Sequence, residues 1–267
     1  TSIESVNATS IESVNATSIE SEEPIIIPEP TISIQAIESD FAGLELEGQE
    51  DFIQIENLTL TNSLEGLTIT GWVNPDYSSG SVEFAVLSKE KSFLFSINNN
   101  LESEKIAKFS VFDGIKWTTV ESTSTIPEEW TFLSSTFNGE SISIFVNGLR
   151  EGREEITGIP TLDVRGDLIT TEVENISSNE DVVIGAYVNT NREVPKIQKQ
   201  FSGEIDDVAL YDYVLEDEQI FAKYEQTKST YEKLTISEQP TLNSLHKNFE
   251  LSDDATFELE FFDEYDA

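Results

Sequence analysis

The sequence predicts an all-β antiparallel sandwich, and three stretches predict it. The first is Trp130-Thr-Phe-Leu-Ser-Ser-Thr-Phe-Asn138-Gly139, followed by Ser141-Ile-Ser-Ile-Phe-Val-Asn147-Gly148. Ile142, Ile144 and Val146 alternate with Ser141, Ser143 and Phe145, the period of a half-buried strand. Asn-Gly between apolar strands signals a hairpin, because a type I′ turn needs positive φ at both central residues. The second stretch is residues 44–56, followed by Leu67-Thr-Ile-Thr-Gly-Trp72-Val. The third, residues 201–220, begins as a strand and ends as a short helix. Ile205, Val208, Leu210 and Tyr211 carry apolar surface around a Gly-led turn and an acidic pair. Leu215, then Glu216-Asp217-Glu218, then Ile220-Phe221 is a helix start, with carboxylates in the first turn where the dipole favours them.

Along the chain, residues 1–23 are an octapeptide repeat. Thr1-Ser-Ile-Glu-Ser-Val-Asn-Ala8 recurs at residues 9–16, and a third copy begins at Thr17. Ser, Thr and Val suit an extended strand or a solvated stalk better than a helix. Residues 24–40 are a Pro- and Ile-rich linker strand. Pro24, Pro28 and Pro30 fix an extended path, and Ile25, Ile26 and Ile27 are expected to dock on the sandwich or on a neighbouring copy.

Residues 41–226 form the sandwich. Runs at 84–88, 92–97 and 106–112 are strands, and Asp113-Gly114 is a hairpin turn leading into Trp117. Residues 159–179 are expected to be an inserted loop with one strand. The helix signal fades after Tyr224. In residues 227–267, a C-terminal tail or the start of a further β element, Leu234 to Ile236 and residues 255–262 are strand-like. Phe257, Leu259 and Phe261 share one face of the latter run.

The three stretches resemble, in order, the opening, middle and closing strands of a laminin-G-like, concanavalin A-like jelly-roll domain of the pentraxin type. The pattern Gly203-x-Ile205-Asp206-x-Val208 carries the closing strand, and the apolar run ending in Ile184-Gly185 precedes it as in that family. The resemblance covers roughly residues 41–224. It implies the sandwich, and it also implies that a calcium ion pins loops at the rim. Matched by position, Asp51, Asp206 and Asp207 are the expected ligands. Calcium takes six to eight oxygens from carboxylates and carbonyls.

Composition narrows the function further. The 267 residues include 52 acidic and 15 basic ones, for a formal charge of -37. Phosphate backbones and anionic membranes both need Lys and Arg, so neither is an expected partner. Cysteine is absent, which removes disulfides and thiol chemistry. No apolar run is long enough to span a membrane. Methionine is also absent and the chain starts at Thr1, which is expected of a product processed from a longer precursor. The sequons at Asn7, Asn15, Asn57 and Asn175 would accept glycans in a secreted protein. Together these features suit a glycosylated, acidic cell-surface protein of an organism that does not rely on disulfides, as in archaea.

No catalytic constellation is complete. Glucanases that share this fold use a Glu-Ile-Asp strand motif continuing to a second Glu. Here Glu204-Ile205-Asp206 is followed by Asp207, Val208 and Ala209, and the acid/base residue is missing. His246, the single histidine, has no recognisable partner. The chain is therefore expected to be non-catalytic.

Sugar sites want exposed aromatics. Trp72 and Trp130 lie in core strands, which leaves Trp117, beside the Asp113-Gly114 turn, as the carbohydrate-binding candidate. The expected role is structural or adhesive. The chain would assemble on the cell surface as a homo-oligomer or filament, with strand addition through Ile25 to Ile27 or through Phe257 to Phe261. The alternative is a calcium-dependent, lectin-like module on a stalk.

Overall fold

The computed structural model describes residues 25–36, 43–48, 51–56, 58, 61, 63–78, 81–157, 159–162, 164–165, 168–171, 176–191, 194–236, 249–250 and 259–261. The octapeptide repeat, the asparagines of the four sequons, His246 and Phe257 lie outside them.

In chain order the strands begin with β1 (Ile32–Ala36), β2 (Leu44–Glu47), β3 (Ile53–Ile55), β4 (Ser63–Leu64) and β5 (Leu67–Pro75). They continue with β6 (Glu83–Lys89), β7 (Phe93–Asn98), β8 (Ile106–Phe112), β9 (Trp117–Thr125), β10 (Thr131–Phe137), β11 (Ser141–Val146) and β12 (Leu149–Glu155). Next come β13 (Ile159–Leu162), β14 (Leu168–Thr171), β15 (Ile176–Ser177), β16 (Val182–Ile184), β17 (Tyr187–Asn189), β18 (Lys196–Gln198) and β19 (Ser202–Tyr211). Helix α1 (Asp217–Ile236) follows, then β20 (Phe249–Glu250) and β21 (Leu259–Phe261).

Two large antiparallel sheets face each other. One is eight-stranded, in the order β12-β11-β10-β5-β19-β1-β20, with β2 also paired to β19. The other is seven-stranded, in the order β21-β3-β16-β6-β7-β8-β9. Side chains from both inner faces fill the space between them, among them Phe84, Phe93, Phe95, Phe109, Phe137 and Ile142. This is the sandwich that the period-2 alternation predicts.

The eight-stranded sheet buries its outer face as well. Phe145, which points away from Ile144 and Val146, joins Trp72, Phe132, Tyr211, Ile220 and Tyr231 in a second cluster beneath α1. That explains why β11 is buried along its whole length although its sequence alternates apolar with polar residues.

The turns follow their chemistry. Asn147 and Gly148 both have positive φ, 49° and 78°, and join β11 to β12 as the type I′ turn expected of Asn-Gly. Asn138-Gly139 and Asp113-Gly114 turn differently. Only the glycines have positive φ, and the Asn138 or Asp113 side-chain oxygen accepts N–H groups two and three residues on.

Two expectations need correction. Residues 159–179 hold a hairpin, β13–β14, and the short strand β15, rather than one strand in a loop. The helix does not fade after Tyr224 but runs to Ile236, so Leu234 to Ile236 are its last turn and not a strand. It persists because Tyr231, two turns beyond Tyr224, stacks on Trp72 with ring centroids 4.2 Å apart. Tertiary packing here outweighs weak local propensity. The tail, including Leu259 and Phe261, pairs within its own chain. Strand β21 lies on β3 and β20 on β1, at one edge of each sheet.

Candidate functional site

The acidic pair sits at a β-bulge. Strand β19 pairs with β5 on both sides of it, and the register shifts between Asp206 and Ala209. Asp207 adopts φ 46°, a left-handed conformation that Asp tolerates better than most residues. Its own N–H donates to Asp206 Oδ1 at 2.8 Å. Helix α1 closes over both carboxylates. Lys223 Nζ lies 3.3 Å and 3.5 Å from the two oxygens of Asp207. Tyr231 O–H donates to Asp206 Oδ2 at 3.0 Å. Burial first, and then these two carboxylates, push the Tyr231 phenol far above its ordinary value, so it remains a donor.

Asp51 is elsewhere. It accepts the Glu47 N–H at 2.9 Å in the turn after β2. Ser202 pairs with Glu47 and Ile205 with Leu44, so Asp206 lies at the far end of the β2–β19 ladder. Four residues of strand separate the two ends, roughly 13 Å. The structure therefore does not bring Asp51 to Asp206 and Asp207. Among the described residues, no three His, Cys, Asp or Glu side chains gather as a metal site. The donor set expected for calcium does not fit one ion, because an ammonium and a phenol already serve the acidic pair.

Glu204 and Asp206, on the same strand, have separate partners. Asn74 Nδ2 donates to Glu204 at 2.9 Å, and Asp206 is held under α1. Trp72 is buried too, with its indole N–H donating to Thr227 Oγ1 at 3.0 Å. Trp130 packs against Tyr231 with ring centroids 5.0 Å apart.

Trp117 has a different environment. It opens β9 opposite Phe112, the last residue of β8, and the two rings meet with centroids 5.4 Å apart. Trp117 is 39 % exposed. Both rings stand on the outer face of the seven-stranded sheet, opposite the core-facing pairs Phe109–Val120 and Phe93–Val111. Next on that face come Ser110 and Thr119, whose hydroxyls share a 2.7 Å hydrogen bond, and then Lys108 opposite Glu121. The β17–β18 hairpin borders the face. Tyr187 packs on Ala85 and Leu94, and Lys199 forms a close ion pair with Glu83. For Glu83, burial works against ionisation, but Lys199, Ser96 and Lys108 together hold the carboxyl below its usual range.

Phe112 was legible as the partner of Trp117 only through hairpin arithmetic, since the Asp113-Gly114-Ile-Lys116 turn closes that pair. The polar groups brought in by the β17–β18 hairpin left no local signal.

Two antiparallel sheets packed face to face in this strand order define a jelly-roll domain of the concanavalin A type. The chain belongs to the laminin-G-like family of the Concanavalin A-like lectin/glucanases superfamily, whose model matches residues 47–221. The fold is similar to that of a heptameric SAP-like pentraxin from Limulus polyphemus, with 14% identity, TM-score 0.50 and coverage of 86% of this chain and 94% of that one. It is also similar to the CBM40 of the Ruminococcus gnavus IT-sialidase bound to alpha2,3 sialyllactose. That match has 14% identity, TM-score 0.51 and coverage of 69% and 96%. The binding domain of Paraclostridial Mosquitocidal Protein 1 matches at 14% identity and TM-score 0.51, over 72% of this chain and 45% of that chain. A comparison with curated proteins found no match.

Proposed function

We propose that this domain is a non-catalytic, extracellular binding module that holds glycans on the outer face of its seven-stranded sheet. One observation carries the proposal. The Trp117–Phe112 pair is a half-exposed aromatic platform on a sheet face, rimmed by hydroxyl and charged side chains. Sugar rings present flat C–H faces to the negative face of an aromatic ring and hydroxyls to polar neighbours, the combination this face offers. The other face with large aromatics, around Trp72, is covered by α1. Screening the full chain and Trp117→Ala on a glycan array tests the reading. Binding by the parent that the variant loses supports it. A parent that binds nothing, or a variant that binds equally, overturns it.

A second reading concerns assembly, and it rests on the chain ends. Ile26 and Glu29 dock through their backbone, and Thr31 through its hydroxyl, which bonds Asp212. Gln219 Nε2 donates to Ile26 O at 3.0 Å and Tyr213 O–H to Glu29 O at 2.5 Å. Yet Ile26 remains 79 % exposed and Ile25 51 %. Together with edge strands β20 and β21 from the same tail, these residues would allow exchange of terminal strands between copies. Negative-stain electron microscopy of the full chain tests this. Filaments support exchange, and dispersed single particles overturn it.

A further inference from the structure

The two sides of the sandwich are closed in different ways. On one side the edge strands are β12 and β9, and they meet directly. A Cβ at Gly152 would lie 2.6 Å from Glu121 O and 2.8 Å from Val120 Cγ2, so β12 rests on β9 with no room between them. Strand β9 bulges here, where residues 122–124 oppose the single residue Ala107 of β8. The N–H groups of Thr123 and Ser124 both donate to Glu151 Oε2, at 2.9 Å and 2.8 Å, and the Ser124 O–H donates to Oε1 at 2.6 Å. Lys116 Nζ donates to Thr157 Oγ1 at 2.5 Å, which ties the β8–β9 turn to the residues after β12. A bulge and a charged side chain on an edge are two devices that stop further strands from adding. This side of the fold is latched.

The other side is closed by the C-terminal tail. Strand β20 pairs with β1 through Gln35↔Glu250 and Ala36↔Phe249. Strand β21 pairs with β3 through Leu259↔Ile55, Glu260↔Gln54 and Phe261↔Ile53. Each is the outermost strand of its sheet. Ile53 and Ile55 belong to the main core, so without β21 a core strand would present a bare backbone edge. Residues 237–248 join helix α1 to the tail, and a tether of that length spans up to roughly 40 Å. It is long enough to carry the tail to the same edges of an adjoining copy.

We infer that the C-terminal tail is the exchangeable element of this fold, and that its partner is a second copy of this chain. Strands β20 and β21 of one copy take the β1 and β3 edges of the other in the register they hold at home. The inference rests on the assembly reading and names its moving part and its acceptor edges, with the β9–β12 side excluded as an acceptor. An exchanged ladder makes the same hydrogen bonds as the intramolecular one, so exchange sacrifices no contact. The balance is set by concentration, because the tether holds the tail near its own edges at a local concentration in the millimolar range. Exchange therefore grows as copies are crowded together.

Disulfide trapping in the full chain tests this, and the chain has no cysteine of its own to interfere. Gln54 and Glu260 are direct partners across β3 and β21. Such partners have Cα atoms about 4.5–5.5 Å apart, within the span of a disulfide. The double variant Gln54→Cys/Glu260→Cys is expected to close a bridge within one chain. In an equimolar mixture of Gln54→Cys chains and Glu260→Cys chains, a 54–260 bridge joins two copies. That bridge is expected to accumulate with protein concentration, at least about tenfold faster than a 54–123 bridge in a mixture of Gln54→Cys with Thr123→Cys. Thr123 is exposed on the latched side, so its bridge measures random collision. The Gln35–Glu250 pair gives the same readout on the other sheet. A 54–260 bridge between copies that forms no faster than the 54–123 bridge overturns the inference. So does a double variant that fails to close. Filaments in the electron microscope without that bridge leave assembly standing and remove the tail from it. Bridged pairs that stay dispersed leave tail exchange standing, as a closed dimer, and remove the filament. Neither filaments nor bridges removes both.

Discussion

Lys223 and Asp207 form a nearly enclosed ion pair, with side chains 13% and 5% exposed and Nζ 3.3 Å from Oδ2. The lysine comes from the first turns of α1 and the aspartate from the bulge in β19, so the pair fastens helix to sheet at one point. Removing one partner strands the other charge away from water. Lys223→Met and Asp207→Asn are each expected to cost about 3 kcal/mol of stability, and the double variant less than their sum. Chemical denaturation of the four proteins measures this. In the same samples, calcium or EDTA should leave the parent melting temperature in place. A calcium-dependent rise that Asp207→Asn abolishes would show that an ion, rather than Lys223, is the partner of Asp207.

Residues 227–236 complete the fold and are not an appendage to it. Thr227 accepts the Trp72 indole N–H, and Tyr231 stacks on that ring while donating to Asp206. A chain ending at Gln226 would expose Trp72 and leave the Asp206 carboxylate without its phenol. Truncation there is expected to red-shift tryptophan emission and lower the melting temperature by several degrees or more. Tyr231→Phe keeps the stack and loses one hydrogen bond, for about 1–2 kcal/mol. A truncated chain with parental emission and melting would show that the contact contributes nothing to stability.

The strands of the sandwich were legible because each has one side chain per face and one face is core. Ile142, Ile144 and Val146 declare this in the sequence, and Asn147-Gly148 declares the turn after them. The end of the helix was not legible. Its residues after Tyr224 are mostly polar, and it is Thr227 and Tyr231, through Trp72 in a strand far earlier in the chain, that show why they stay helical. Trp117 was separable from Trp72 and Trp130 by its place beside a hairpin turn, and it is the one on an open sheet face. The metal expectation joined Asp51 to Asp206 and Asp207 because first and last strands are neighbours. The strands do pair, but the register puts the carboxylates at opposite ends of the ladder. Register is a tertiary property that a pattern match does not contain.

Gly203, the glycine that leads the closing strand, is held by close approach of backbone. Its φ is 116°, and a Cβ there would lie 2.2 Å from Asn74 O and 2.7 Å from Asp76 N. Neither atom can yield, because Asp76 N–H donates to Ser202 O at 2.8 Å and Gly203 pairs with Pro75. Gly203→Ala therefore combines a strained φ with a backbone clash. It is expected to cost more than about 3 kcal/mol and to express mainly as insoluble protein. As a contrast, a Cβ at Gly114 meets nothing within 4 Å, so Gly114→Ala carries only the cost of φ 93° and should remain soluble. Solubility and melting of the two variants side by side check this, and equal behaviour would count against the clash.

Lys89 sets a pH dependence with the same sign as the acid-lability of carboxylates, stability rising with pH, but in an alkaline window. Its side chain is buried, with Nζ donating to Thr61 Oγ1 at 2.8 Å. Burial lowers its pKa from 10.5 to about 8, while Asp181 and Glu180 pull it back upward. Between these values the unfolded chain holds a proton that the folded chain has released. Folding stability therefore rises with pH from about 8 upward. Below about 8 both states are protonated and the cost of burying the ammonium is present in full, at about 1.4 kcal/mol for each pH unit that separates the two values. As pH approaches 10 the sign reverses, because the phenols of the unfolded chain ionise there while burial raises those of Tyr77, Tyr187, Tyr211 and Tyr231 in the folded chain. Their folded-state protonation is a stabilising contribution that is lost as pH climbs further. Denaturation of the parent at pH 7, 8 and 9 should show stability increasing, most steeply between pH 8 and 9. Lys89→Met removes the titrating group and leaves Thr61 Oγ1 its bond to Leu58 O at 2.9 Å. The variant is expected to be at least as stable as the parent at pH 7 and flat between pH 8 and 9. A variant that is weaker at pH 7 and keeps the parental slope would place the titrating group elsewhere and show that the buried amine is a net stabiliser.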